Sequence, residues 1–194
     1  VQGISFISEY ASAMQEGADT SAALVEELLP DRYKASRWLI DSLLKVNFNR
    51  TRIMLVGDGL GAYLLPMLIT QFKPGSVVFV ESDEALVRAR RIHNQAQRAT
   101  QIEWVTPELI SHTPPCTLVV APRCDSFGNI GSLRVPTNNC HYVVQGSDSS
   151  LSRFPTDNVD QLLAGSGIIQ FSFKESLNLN NESRHMVIGT KAVF

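Results

Sequence analysis

Apolar and polar positions change period along this 194-residue chain. Over residues 1–50 the apolar positions recur at helical spacing: Ile4, Ile7, Ala11 and Met14 share one face. Gly17 and the triplet Asp19-Thr20-Ser21 break that helix and can cap a second one from Ala22 to Leu29, which Pro30 stops. Leu39, Ile40, Leu43 and Leu44 predict a third helix from Tyr33 to Val46. From Arg52 onward the pattern becomes short apolar runs separated by segments of helical length. Ile53 to Val56, Val77 to Val80, Ile102 to Val105 and Thr117 to Ala121 read as strands. A helix follows the first run. Pro66 kinks it if it starts at Gly61, or sits in its tolerated first turn if it starts near Tyr63; the sequence leaves both open. After the second run Ser82 can cap a helix from Asp83 to about Gln97, with Asp83 and Glu84 at its positive end.

The last third admits two readings. In the first, Gly128 to Asn139 is loop, His141 to Gln145 is the fifth strand, and Asp148 to Ala164 holds a helix. Ile168 to Lys174 and Arg184 to Phe194 then close the sheet as a hairpin. In the second, Ile168 to Phe173 is the fifth strand. That leaves only Glu175 to Ser183 for a parallel crossover, too few for a helical return. The first reading is preferred. It gives an α/β, Rossmann-like, doubly wound sheet, mostly parallel with a C-terminal antiparallel hairpin. The predicted organisation is one domain over 1–194, with a helical cover over 1–50 and the core over 51–194.

The chemistry concentrates between Arg52 and Glu81. The first strand ends in Gly57-Asp58-Gly59-Leu60-Gly61, a helix follows, and the second strand ends in Glu81. Glycines let the backbone turn tightly and approach a ligand. The helix start presents unpaired N–H groups, and an acid about 20 residues on can accept hydrogen bonds from both ribose hydroxyls of an adenosine. A dinucleotide fingerprint would carry its third glycine where Tyr63 and Leu64 stand. Asp58 repels a pyrophosphate but can meet the ammonium group of a methionine moiety, which favours S-adenosylmethionine over NAD. A plain strand-to-helix turn is the bland alternative. The cofactor set is therefore Gly57, Asp58, Gly59, Gly61, Glu81 and Ser82, joined at the later strand ends by Thr106 and Pro122.

Composition narrows the options. Hydrophobic residues make up 44% and charged ones 19%, a globular balance. Seventeen basic against nineteen acidic residues give a net charge of −2, so RNA contact must come from a local patch, and Arg88, Arg90, Arg91 and Arg98 form the densest one. No apolar stretch reaches about 18 residues, so no membrane span is expected. Cys116, Cys124 and Cys140 lack metal spacing and fit a reducing compartment, the cytoplasm. The four histidines are scattered without zinc-ligand spacing, so no metal is expected. Val1 and the apolar end at Phe194 suggest a piece of a longer parent chain with further domains as partners.

The loop over Val56 to Leu65, following a helix that contains Tyr33 to Lys45, resembles motif I of the class I methyltransferases. More closely it resembles the cap methyltransferase domain of the polymerase of nonsegmented negative-strand RNA viruses. The resemblance implies methylation of an mRNA cap, at the guanine N7 and a ribose 2′-oxygen. It also implies a Lys-Asp-Lys-Glu tetrad for the ribose chemistry, for which Lys34 or Lys45, Asp125, Lys174 and Glu182 are the candidates. The matched places themselves hold Trp38 and Leu39, Pro122, Gln145 and His185. These departures allow N7 chemistry, which needs no base. They equally allow a domain that keeps the fold as a binding or scaffold module.

Overall fold

The computed structural model describes residues 2–57, 63–93, 99–122, 140–147, 168–179 and 182–191. Three helices come first: α1 (Gln2–Glu16), α2 (Ala18–Leu28) and α3 (Pro30–Leu43). Strands and helices then alternate: β1 (Arg52–Val56), α4 (Leu64–Phe72), β2 (Ser76–Val80), α5 (Asp83–His93) and β3 (Gln101–Val105). A 3-10 turn over Pro107–His112 leads to β4 (Leu118–Ala121), β5 (His141–Ser147), β6 (Ile168–Leu179) and β7 (Glu182–Lys191).

The seven strands form one sheet in the order β3-β2-β1-β4-β5-β7-β6. The first five in that order are parallel, and β7 runs antiparallel between β5 and β6. The doubly wound sheet with its closing hairpin is therefore as expected, and β5 and β6 take the first of the two C-terminal readings. The expected helix over 148–164 and the loop over 128–139 lie outside the described residues.

Period-two burial divides the interior between the two faces. Ile53, Leu55, Val77, Phe79, Leu118, Val120, Val143 and Ile188 join the helical side chains of α1–α5 in one cluster. Met54, Val56, Val78, Val80, Val119, Ala121 and Val144 form the other, with Ile110 of the 3-10 turn.

Several boundaries differ from expectation, each for a local reason. Pro30 does not merely stop the second helix. It opens α3 at its first position, where a missing N–H costs nothing. α2 starts at Ala18, so Asp19, Thr20 and Ser21 lie inside its first turns instead of capping it. The break before it is made by Gly17, whose φ of 137° disfavours any side chain. α4 starts at Leu64, which places Pro66 in the tolerated first turn and settles the open question without a kink. The stretch after β3 is wound into the 3-10 turn.

Candidate functional site

In an open parallel sheet the ligand crevice opens at the carboxyl ends of the strands, where the order reverses. Here that switch lies between β1 and β4. The β1 strand leaves the sheet through Gly57, whose φ is 67°. A side chain in that left-handed conformation would crowd its own carbonyl, so glycine is the fitting residue. The Gly57 N–H donates to the carbonyl of Val80 at 2.9 Å, which ties the start of the loop to the end of β2. The next residue after Val80 is Glu81. Its own N–H donates to the Val105 carbonyl at 3.2 Å, and its Oε1 accepts the Ser82 N–H at 3.0 Å. The acid and the bend thus stand side by side on one rim, on neighbouring strands.

Around that pair the rim is completed by Thr106 after β3 and Pro122 after β4, both half-buried. Ser82 is exposed, and its carbonyl accepts the Leu86 N–H as α5 begins, with Asp83 and Glu84 in the first turn. Asp58, Gly59 and Gly61 lie outside the described residues, as does Asp125. Glu108 sits beside Thr106, and hydrogen bonds from its own backbone and from Thr106 hold its carboxyl below the usual range.

The α3 helix meets the start of α4 through Tyr33. Ala35, Leu39, Ser42 and Leu43 are buried beneath it. Tyr33 and Arg37, one turn apart, share one flank of the helix. The Tyr33 ring lies 5.0 Å from that of Tyr63, the residue that closes the loop and precedes α4. Burial and the neighbouring Tyr33 push the Tyr63 phenol up to about 12, partly opposed by a hydrogen bond from Arg37. Arg37 also reaches Asp41 at 3.4 Å, in an exposed pair.

On its other flank α3 is pinned to the antiparallel end of the sheet. Gln145, 2% exposed, donates its Nε2 to the Ala35 carbonyl at 3.0 Å and contacts the Met186 sulfur at 3.7 Å. The Trp38 indole N–H donates to Glu175 Oε1 at 3.1 Å. On the other side of β7, His185 Nδ1 lies 2.8 Å from the Ser176 hydroxyl.

Three of the four tetrad candidates, all but Asp125, fall on described residues. Lys34 is exposed on the outer side of α3. Lys174 pairs in register with Val187, and Glu182 with Leu179, five positions further along the hairpin. That separation is about 17 Å at strand spacing, so the hairpin does not bring these two together. What does converge at the matched places is Gln145 and Trp38, with Glu175, a residue the sequence did not single out. Tyr33, Arg37 and Tyr63 were also missed as a group. Their one available signal was the four-residue spacing of Tyr33 and Arg37 on a helix that precedes the loop.

No group of three or more metal-ligating side chains occurs among the described residues. No helix among them is long and apolar enough to cross a membrane.

No protein-family model matches the chain, and no curated protein matches it in sequence. Solved structures do match in shape. The N-methyltransferase NodS from Bradyrhizobium japonicum superposes with a TM-score of 0.59 at 12% identity, covering 84% of this chain and 97% of that one. A methyltransferase from Leishmania major described as SAM-dependent gives 0.62 at 14% identity, covering 95% and 83%. The fold is that of the Rossmann-like methyltransferases. TrmK of M. capricolum, solved with S-adenosylhomocysteine, gives 0.57 at 12% identity, covering 78% of this chain and 67% of its own.

Proposed function

We propose that this methyltransferase-fold chain is an S-adenosylmethionine-dependent methyltransferase acting on RNA, with the mRNA cap as its substrate. The observation that carries the cofactor part is the adjacency of Glu81 to the left-handed Gly57 on the carboxyl rim. The residues fit the group. A glycine bend leaves room for close backbone approach, and a carboxylate fixed by the Ser82 N–H stands one strand away to receive the ribose hydroxyls. Gly57 to Gly61 and Asp58 would hold the methionine part, and Glu81 and Ser82 the ribose. Thr106 would border the adenine, and Pro122 the position of transfer. S-adenosylmethionine, when bound, supplies a methyl group on a sulfonium. This chain's residues then act chiefly by holding acceptor and donor in line.

The RNA and cap assignments rest on the resemblance of the Val56 to Leu65 loop to the viral cap methyltransferases. Exposed Arg88, Arg90 and Arg91 on α5 offer a local basic patch. Gln145 replaces the second lysine of the ribose-methylating tetrad with a buried neutral amide already engaged by Ala35. That favours an acceptor that is nucleophilic without a base, as the guanine N7 is. A cytoplasmic location fits the buried cysteines Cys116 and Cys140.

The second reading, a fold kept for binding without turnover, is favoured by the same Gln145, whose contacts are structural. Calorimetric titration with S-adenosylhomocysteine tests the first step. Binding that Glu81→Ala weakens at least tenfold supports the cofactor site. A wild-type protein that binds nothing leaves the scaffold reading. Methyl transfer to capped but not uncapped RNA tests the substrate.

A further inference from the structure

Two exposed surfaces of the helical layer match in shape and in sign. The first is a groove of about 480 Å³ between α1 and α2. Ala13 on α1 and Ala23 and Leu24 on α2 line it, and these small side chains leave the seam between the helices unfilled. Glu9 and Glu16 on α1 and Glu27 on α2 stand along it. The groove is open along the surface, unlike the enclosed pocket that a small ligand needs.

The second surface is the outer side of α5. Ala85, Leu86, Ala89, Ile92 and His93 bury the inner side of that helix. The outer side is centred on Val87, which is 54% exposed. Arg90 and Arg91, three and four residues further on, flank Val87 on the helix surface, and both are exposed. Arg88 is engaged by Glu84 at 2.7 Å. Glu16, Glu27, Arg90 and Arg91 enter no ion pair among the described residues.

The outer side of α5 cannot reach the groove of its own chain. Leu86, Ala89 and Ile92 share one apolar cluster with Tyr10 and Met14 of α1. The His93 ring also meets that of Tyr10 edge-on at 6.2 Å. With α5 fixed by its apolar side, its arginine side is presented outward, to another molecule. The net charge of −2 is too small to hold two copies apart.

We propose that α5 of one copy docks in the α1–α2 groove of a second copy of this chain. Val87 enters between Ala13 and Ala23, and Arg90 and Arg91 meet the glutamates along the groove. An apolar knob ringed by exposed charges makes a small, salt-sensitive contact, so the association is weak and reversible. It is independent of the crevice. It uses the same arginines that α5 offers to RNA, so the two contacts compete.

The test is sedimentation velocity on the full chain, with charges exchanged between the two surfaces. Wild type associates at about 100 μM protein in about 50 mM salt and dissociates in about 500 mM salt. Glu16→Arg with Glu27→Arg gives one double variant, and Arg90→Glu with Arg91→Glu the other. Each alone sediments as a monomer, because its groove and its α5 then carry the same sign. An equimolar mixture associates again, because each groove now finds an α5 of opposite sign. Circular dichroism establishes that both variants are folded. Val87→Ser, which leaves every charge in place, weakens wild-type association at least tenfold. A wild-type chain that stays monomeric at this concentration overturns the proposal. So does a double variant that still associates alone, or a mixture of the two folded variants that stays monomeric.

Discussion

The side-chain amide of Gln145 donates to the backbone carbonyl of Ala35 at 3.0 Å, joining a strand and a helix 110 residues apart in sequence. Both residues are buried, so the carbonyl has no water to fall back on. Gln145→Leu keeps the bulk and removes the donor. The expected outcome is a loss of about 0.5–1.5 kcal/mol in stability, the net worth of one hydrogen bond, since the Ala35 carbonyl keeps its place in the helix ladder. A chemical denaturation curve reads it as a lower midpoint at unchanged slope. An unchanged midpoint would mean that the helix finds another anchor.

Gly57 makes a sharper prediction, because two demands meet in one residue. Its φ of 67° carries a penalty of about 1–2 kcal/mol for any L side chain. Gly57→Ala is expected to lower stability by that amount. It is also expected to weaken S-adenosylhomocysteine more than the stability loss alone explains, since the new methyl group stands at the start of the ligand loop. Calorimetry on the folded variant separates the two effects.

Tyr63 provides a spectroscopic reading of the contact between Tyr33 and the start of α4. Its phenol is pushed up to about 12 from the ordinary 10.0 by burial and by Tyr33. Between those values the unfolded chain has released the proton and the folded chain still holds it. Stability attached to this group is therefore full below pH 10 and is lost as pH rises toward 12. Ultraviolet titration of tyrosinate should show one late-ionising tyrosine that Tyr63→Phe removes.

At the opposite rim the sign reverses. Burial lowers the His141 imidazole below its ordinary 6.5, and its Nδ1 has no hydrogen-bond partner among the described residues. Below 6.5 the unfolded chain takes up a proton that the folded chain resists, so stability falls as the solution is acidified toward the lowered value. His141→Gln should flatten that part of the pH–stability profile, measured by thermal unfolding. A profile identical to wild type would refute this assignment.

Arg52 and Glu103, beginning β1 and lying within β3, form a two-pronged pair at 2.9 and 2.6 Å. The pairing lowers the Glu103 carboxyl and raises the Arg52 guanidinium. Glu103 remains 35% exposed, so water screens the attraction. Glu103→Gln is therefore expected to cost only about 1 kcal/mol by denaturant unfolding.

The sheet was legible because its strands are β-branched runs bounded by turn residues. The closing hairpin was legible because Glu175 to Ser183 is too short for a parallel crossover. The bend at Gly57 and the acid at Glu81 could be read as a unit, since both fall at strand ends fixed by register. What failed to show was everything that depends on side chains meeting across the fold. Nothing in the sequence around Glu175 announces a bond to Trp38, 137 residues away. The 3-10 turn after β3 is carried by Pro107 and short polar contacts, which leave no periodicity. The helix starts moved because Gly17 and Pro30, read as breakers, act as entry points for the next helix.

The single apolar cluster that unites Tyr10, Val25, Leu39 and Ile40 with Ile53, Phe79 and Val143 has a practical corollary. A cut at residue 50 would pass through the middle of that interior instead of along a seam. The remaining fragment keeps α4 and α5 but would bare the apolar surface that α1–α3 cover, and should precipitate when expressed alone. What precedes β1 is thus part of the protein's inside.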